Sequence, residues 1–300
     1  MRSATPASAS ARTPEVPGPA GRSGALRRLG RQRGAVIGVV VLVALGGMAA
    51  FASWLSPADP IKTAPRDALQ APGPAHVLGT DQYGRDVLSR VLHGARISLV
   101  VGLVSVSIAV ALGVPVGLVS GYYGGRADGL LMRVMDVMLA FPGILLALAI
   151  VSVLTPSLAN LMIAVGLAAV PTYARLVRGS VLSAKESPYV EAARAVGCRD
   201  RLVVVRYILP NVVAPVIVTA TLGMGTAVLS AAALSFLGLG SQPPQPEWGR
   251  MLSEGRDYLR EAWWISTFPG FGIMLTVLAM NLLGDGLRDV LDPRLEAGRT

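Results

Sequence analysis

The side chains able to do acid–base, nucleophilic or metal chemistry are few and scattered. His76 and His93 are the two histidines, 17 residues apart in one polar segment, and Cys198 is the only cysteine. One thiol can form neither an intrachain disulfide nor a cysteine-built metal cage. The chain contains no HExxH pair and no GxxxxGK[ST] loop to cradle a nucleotide phosphate. Asp136 and Asp285 lie near the ends of apolar runs, where snorkelling or pairing with Arg133 and Arg288 accounts for them. A carboxylate in mid-membrane would cost about 2.5–3.5 kcal/mol on insertion scales and would suggest a proton relay. None is found, which argues against a proton-coupled transporter. Asn160, Asn211 and Asn281 are too isolated to build an intramembrane enzyme. No catalytic residue, metal ligand or cofactor site is therefore expected.

The stretch that does carry information is KESPYVEAARAVGCRDRLVVVRYILPN, residues 185–211. Ser187 is suited to cap a helix and Pro188 to occupy its first position. That helix runs through Glu191, Ala192, Ala193 and Arg194 to Gly197, a natural left-handed terminator, after which Asp200 can cap a second helix that Pro210 limits. Two alanines beside one acid make a low, smooth face with a single charge. Such a face fits a groove on another protein that offers a basic partner to Glu191; a solvated amphipathic hairpin fits the same residues.

The elements around this stretch are apolar. Of the 300 residues 52% are hydrophobic and 15% charged, against about 25% charged in soluble domains. The net charge of +9 does not indicate nucleic acid, because the basic residues cluster between long uncharged runs without interleaved aromatics. Runs free of Asp, Glu, Lys and Arg cover 35–55, 97–123, 137–174, 207–246 and 262–284, each long enough to cross a bilayer, which takes roughly 20 helical residues. The 137–174 run would be about 57 Å long as one helix, so it is divided at Thr155, Pro156 and Ser157 into two spans. The 207–246 run exceeds one span only at its ends, where Pro210 marks the entry and residues 238–246 (GLGSQPPQP) an exit loop. Six spans result. With the N-terminus inside, 19 of the 27 basic residues fall on the cytoplasmic side, as the positive-inside rule requires. Both termini and the loop 175–206 are thereby assigned to the cytoplasm.

Residues 1–24 are rich in Ala, Pro, Ser and Gly and are expected to be disordered. Ala50, Phe51 and Ala52 resemble a signal-peptide cleavage site, but the basic stretch before the apolar run is long and the run continues through Trp54 and Leu55, as an anchor would. In the first external segment Val87, Leu88, Val91 and Leu92 share a helical face, while Asp86 and Arg90 are spaced for an i,i+4 pair. They are expected to form a shoulder against the second span. In the last external segment Trp248, Met251, Leu252, Tyr258 and Leu259 recur opposite Arg250, Glu254, Asp257 and Glu261. A surface-lying amphipathic helix follows, serving either as a floor for a docking protein or as an interfacial anchor. Pro115, Pro142, Pro171, Pro215 and Pro269 fall within spans, removing donors and threatening kinks.

Glu191, Ala192, Ala193, then Gly197 at the seventh position and Leu209 and Pro210 at the nineteenth and twentieth, resemble the EAA signature of binding-protein-dependent ABC importer permeases. The match departs at the seventeenth position, where Tyr207 replaces an aliphatic residue and Ile208 follows. HVLGTDQYGRDVLSRVLHGARISL (76–99), PPQPEWGRMLSEGRDYL (243–259) and FPGFGIMLTVLAMNLLGDGLRDVLDPR (268–294) are similar to the peptide and nickel branch of that family, specifically the second of its two paired permeases.

The resemblance implies an all-α membrane protein of six transmembrane helices with the type I ABC importer permease fold. Its divisions would be a disordered basic tail 1–33, a first anchor 34–56, an external loop 57–95, a five-helix core 96–290 with the coupling loop 178–210, and a tail 291–300. It implies that Glu191, Ala192, Ala193, Gly197, Leu209 and Pro210 couple the spans to an ATPase. The partners it implies are a homologous permease subunit, two ATPase subunits, an extracytoplasmic substrate-binding protein and membrane lipid, with no nucleic acid. The expected role is to form half of a bacterial inner-membrane pathway for di- or oligopeptides, ATP being hydrolysed elsewhere; nickel, glutathione or another small solute is the alternative. No substrate-contacting residue is nominated.

Overall fold

The computed structural model describes residues 29–30 and 32–291; the expected tails 1–33 and 291–300 lie almost wholly outside these. Five helices are long and apolar enough to cross a membrane: α1 (Arg33–Ala50), α3 (Val87–Tyr123), α6 (Leu158–Lys185), α8 (Asp200–Phe236) and α10 (Trp264–Leu291). A short α2 (Ala52–Leu55) extends α1. A sixth crossing is supplied by two helices, α4 (Gly125–Leu139) and α5 (Gly143–Val153), bent by 92°. Among the described residues there is no strand, only an isolated bridge between Thr80 and Asp86. The expected six-span, all-α architecture is met when the bent pair is counted as one crossing.

The third span, expected from about 137 with Pro142 threatening a kink, is broken there into this pair. The chain turns at Ala140–Pro142, because proline lacks an N–H and disfavours helical backbone at Phe141 before it. The four other span prolines, Pro115, Pro171, Pro215 and Pro269, are accommodated inside helices. The turn at Thr155–Ser157 forms as expected, with Ser157 accepting from the Asn160 N–H to cap α6. The boundary placed at residues 95 and 96 falls inside α3, whose 37 residues make about 55 Å. The expected shoulder is the first turns of that helix, projecting past the bilayer.

Small residues let the spans approach. On α3, Gly113, Gly117 and Gly121 form one stripe against α6; a Cβ on Gly117 would stand 2.5 Å from the Ala174 carbonyl oxygen and one on Gly121 2.8 Å from Val181 Cβ. Close backbone approach of this kind is how helices associate where lipid supplies no hydrophobic drive. These contacts make α3 and α6 parallel. Helix α8 runs antiparallel to α3, placing Gly102 against Val228, and α10 antiparallel to α8, placing Gly284 on Leu222. Helix α1 packs on α10, with Gly38 on Ala279 and Ala35 under Gly286, and also meets α3, where Leu45 and Ala49 share a buried cluster with Val87 and Ala95. At one end of the bundle lies α7 (Pro188–Ala195), together with the start of α1 and the end of α10, joined by Gln32 donating to Asp289 at 3.1 Å. At the other lies α9 (Trp248–Gly255).

Candidate functional site

At the α7 end a short helix stands on a small apolar base. Pro188 occupies its first position, and Val190 and Ala193 turn inward to join Val177, Val181, Val203, Ile208 and Val212 in one buried cluster. The helix stops at Gly197, whose φ of +81° is left-handed. The Gly197 and Cys198 N–H groups donate back to Arg194 and Ala193 carbonyls at 2.9 and 3.0 Å, closing a Schellman turn that a side chain at Gly197 would strain. Tyr122, at the end of α3, ties the base together. Its hydroxyl donates to Asp200 at 2.7 Å, its carbonyl accepts from Lys185 Nζ at 2.7 Å, and the Arg194 guanidinium lies 5.1 Å above its ring.

What remains outside is the face the sequence singled out. Glu191, Ala192 and Gly197 are exposed, and Val196 beside them is 79% exposed. Ala193 is buried, Leu209 half-buried and Pro210 exposed on α8, away from the helix that carries Glu191. Three details differ from expectation. Ser187 occupies the cap position without a side-chain capping bond. Asp200 is the first residue of its helix rather than the cap and spends its carboxylate on Tyr122. Pro210 does not limit the second helix, which runs unbroken from Asp200 to Phe236. A widened π-helical turn over Val203–Ile208 precedes it, and Pro210 takes an early position of the α-helical segment after that turn, where its missing donor costs little. The same turn resolves the Tyr207 departure: Ile208, not Tyr207, is fully buried beside Val203 and Val212.

The α9 end is built on buried charge. Arg85 pairs with Asp81 at 2.6 Å and Glu254 at 2.7 Å, while Arg90 reaches Glu254 at 3.0 Å and Asp81 at 3.5 Å. Arg250 adds a third guanidinium, 3.3 Å from Glu254. The Arg90 side chain is 1% exposed and that of Glu254 9%. The expected Asp86–Arg90 pair does not form. Asp86 instead caps α3 through the Ser89 N–H at 2.8 Å and meets His76 Nδ1 at 3.1 Å. The apolar face of α9 packs inward as expected, with Trp248 and Met251 buried, but its polar face is divided: Glu254 turns in to the arginines, while Asp257 and Glu261 beyond the end of α9 are exposed. Glu247 caps α9 with both oxygens, accepting from Gly249 and Arg250 N–H groups at 2.9 Å. Burial raises its pKa, against the lowering effect of those bonds. Sequence reasoning missed this network; the signal available was the density of charge in GTDQYGRDVLSR and EWGRMLSEGR, segments with too many apolar residues to be solvent loops. Asp136 likewise pairs with Arg175 at 2.5 Å rather than Arg133.

The described residues form a bundle of helices with an exposed helical knob at one end, and no group of His, Cys, Asp and Glu among them could hold a metal ion. Residues 113–297 match the model of the binding-protein-dependent transport system inner membrane component. The chain belongs to that family. Residues 23–72 also match the N-terminal transmembrane domain of oligopeptide transport permease C. Among curated relatives, this permease is 47% identical to the dipeptide transport system permease protein DppC of Alkalihalophilus pseudofirmus, over 91% of this chain and 90% of that protein. It is 48% identical to the di/tripeptide permease DppC of Pseudomonas aeruginosa over 88% and 89%. It is 46% identical to the glutathione permease GsiD of Pectobacterium atrosepticum over 90% of each. The fold resembles a subunit of the inward-facing methionine transporter MetNI, with a TM-score of 0.54 at 21% identity over 67% of this chain and 95% of that one. The permease is thus a multi-pass inner-membrane subunit of a binding-protein-dependent importer, a class that works with an ATPase and a substrate-binding protein.

Proposed function

We propose that this permease forms half of a pathway for di- or oligopeptides, with a homologous permease as the other half and two ATPase subunits beneath them. The observation that carries the coupling role is the exposed face of α7. Glu191 and Ala192 project from a helix whose other side is fixed to α3, α6 and α8 through Tyr122 and the Val190–Ala193 base. Force on that face is delivered to three spans at once. In this reading the α7 end and both termini are cytoplasmic, the α9 end receives the binding protein, and ATP-driven closure of the ATPases switches the bundle between two states by differential affinity. Glu191, Ala192, Ala193 and Gly197 shape the docked helix, and Leu209 and Pro210 carry its motion into α8.

The peptide assignment rests on the dipeptide and di/tripeptide permeases that this chain matches across most of its length. The test is uptake of a radiolabelled dipeptide by the full complex in proteoliposomes. ATP-dependent accumulation, competed by other dipeptides, is expected. Accumulation of nickel or glutathione without competition by dipeptides would transfer the role to those solutes.

A further inference from the structure

Hydroxyl side chains within the spans fall into two groups. Ser107, Ser152 and Thr221 each donate to the carbonyl four residues earlier, which is how a hydroxyl is hidden from lipid. Among the described residues, Thr172, Thr219 and Ser230 have side chains with no such bond. Together with Thr226, whose hydroxyl donates to the Leu222 and Gly223 carbonyls at 3.2 Å, these three line one recess of about 400 Å3 between α5, α6 and α8, roofed from α3 by Ser105. Toward the α9 end the recess stops at Leu161 and Leu234, both fully buried. Toward the α7 end the same flank of α6 continues into a groove of about 680 Å3 bordered by Arg175, Ser183 and Asn211. Arg175 and its partner Asp136 are 53% and 54% exposed there.

Unpaired hydroxyls followed by an exposed ion pair cannot face hydrocarbon at that depth. On α3, by contrast, Val100 and Leu103 present an exposed apolar surface. We propose that the α6–α8 flank is the surface the carried solute touches, with Thr172, Thr219, Thr226 and Ser230 as mid-membrane contacts and Arg175 with Asp136 as the step toward the α7 end. The proposal rests on the pathway role given above and deepens it. The chemistry fits the backbone of a zwitterionic short peptide. Hydroxyls both donate and accept, so they serve amide N–H and C=O groups alike, and the ion pair offers one charge to each terminus.

The single native cysteine allows a direct test. In a Cys198→Ser background, Thr172→Cys, Thr226→Cys and, as a lipid-facing control, Val100→Cys are assembled into the full complex in membrane vesicles and treated with a charged methanethiosulfonate. Before treatment the Cys198→Ser parent and its Val100→Cys derivative should take up dipeptide, and failure of the parent to do so would strike the peptide reading instead; each threonine variant is read against its own untreated rate. The expected result is modification at positions 172 and 226, with loss of most dipeptide uptake and slowing by excess dipeptide, and none at 100. Cysteines at 172 and 226 as unreactive as that at 100 would mean that lipid or the partner permease covers the flank, and modification without loss of uptake would place the solute elsewhere. Either outcome overturns the proposal, and Ser230→Cys repeats the test should either threonine variant fail to assemble.

Discussion

The two ends of this permease are held by opposite chemistry. At the α9 end Arg85, Arg90, Asp81 and Glu254 are enclosed and bonded across elements, with Arg250 added from within α9, so that residues 81–90, the start of α3 and α9 are fixed together. At the α7 end a two-turn helix rests on valines and alanines and leaves its charged residue outside. A buried ionic network is specific in geometry and intolerant of losing one member. A shallow apolar base permits small shifts. The difference teaches that the permease keeps its rigid, self-satisfied polar structure where a delivering protein is proposed to dock, and an uncommitted surface where motion is proposed to enter.

Substitutions at each end sharpen the contrast. The largest effect is expected for Arg90→Ala, which removes the most deeply buried guanidinium and leaves Asp81 to Arg85 alone and Glu254 to Arg85 and Arg250; breaking the buried network in this way should cost about 3 kcal/mol. This would be read as failed assembly or a large fall in the melting temperature of the purified complex. Tyr122→Phe removes one hydrogen bond to Asp200 at the α7 end and should cost about 1 kcal/mol, a small fall in the same measurement; a loss comparable to Arg90→Ala would make the two ends equally rigid and break the comparison. A smaller effect, and a pH-dependent one, is expected at Glu247. Its pKa is raised on folding, so the native state holds its proton more tightly than the unfolded chain. Stability from this group is therefore lost as pH rises from the unfolded value of about 4.3 through the folded one. Glu247→Gln should remove that slope, and its melting temperature relative to wild type should rise across the window; parallel curves would contradict the assignment.

The spans and the EAA loop were legible because both depend on local signals. Uncharged runs of membrane length define the crossings, and the Ser-Pro start and Gly197 stop define α7. Pro142 threatened a kink, but so did Pro115, Pro171, Pro215 and Pro269, which sit inside helices; nothing local singled out the one at which the chain bends by 92°. The α9-end network was hidden for a different reason. The i,i+4 spacing of Asp86 and Arg90 suggested a local pair, whereas tertiary packing joined Arg90 to Glu254, 164 residues away. The α6–α8 flank was unreadable in sequence, since Thr172 and Thr221 look alike until one is seen to bond its own helix and the other is not.

The smallest structural effect and the most direct test belong to Glu191. It is exposed, and Glu191→Arg should leave pairing of the permeases and the melting of that pair within about 0.5 kcal/mol of wild type, as surface changes usually do. The measurement is substrate-stimulated ATPase activity of the complete importer with its binding protein. Loss of stimulation, with weakened association of the ATPases and an intact permease pair, is the expected result. Normal stimulation and transport by a fully assembled Glu191→Arg complex would make Glu191 an ordinary solvated residue and would contradict the coupling role assigned to α7.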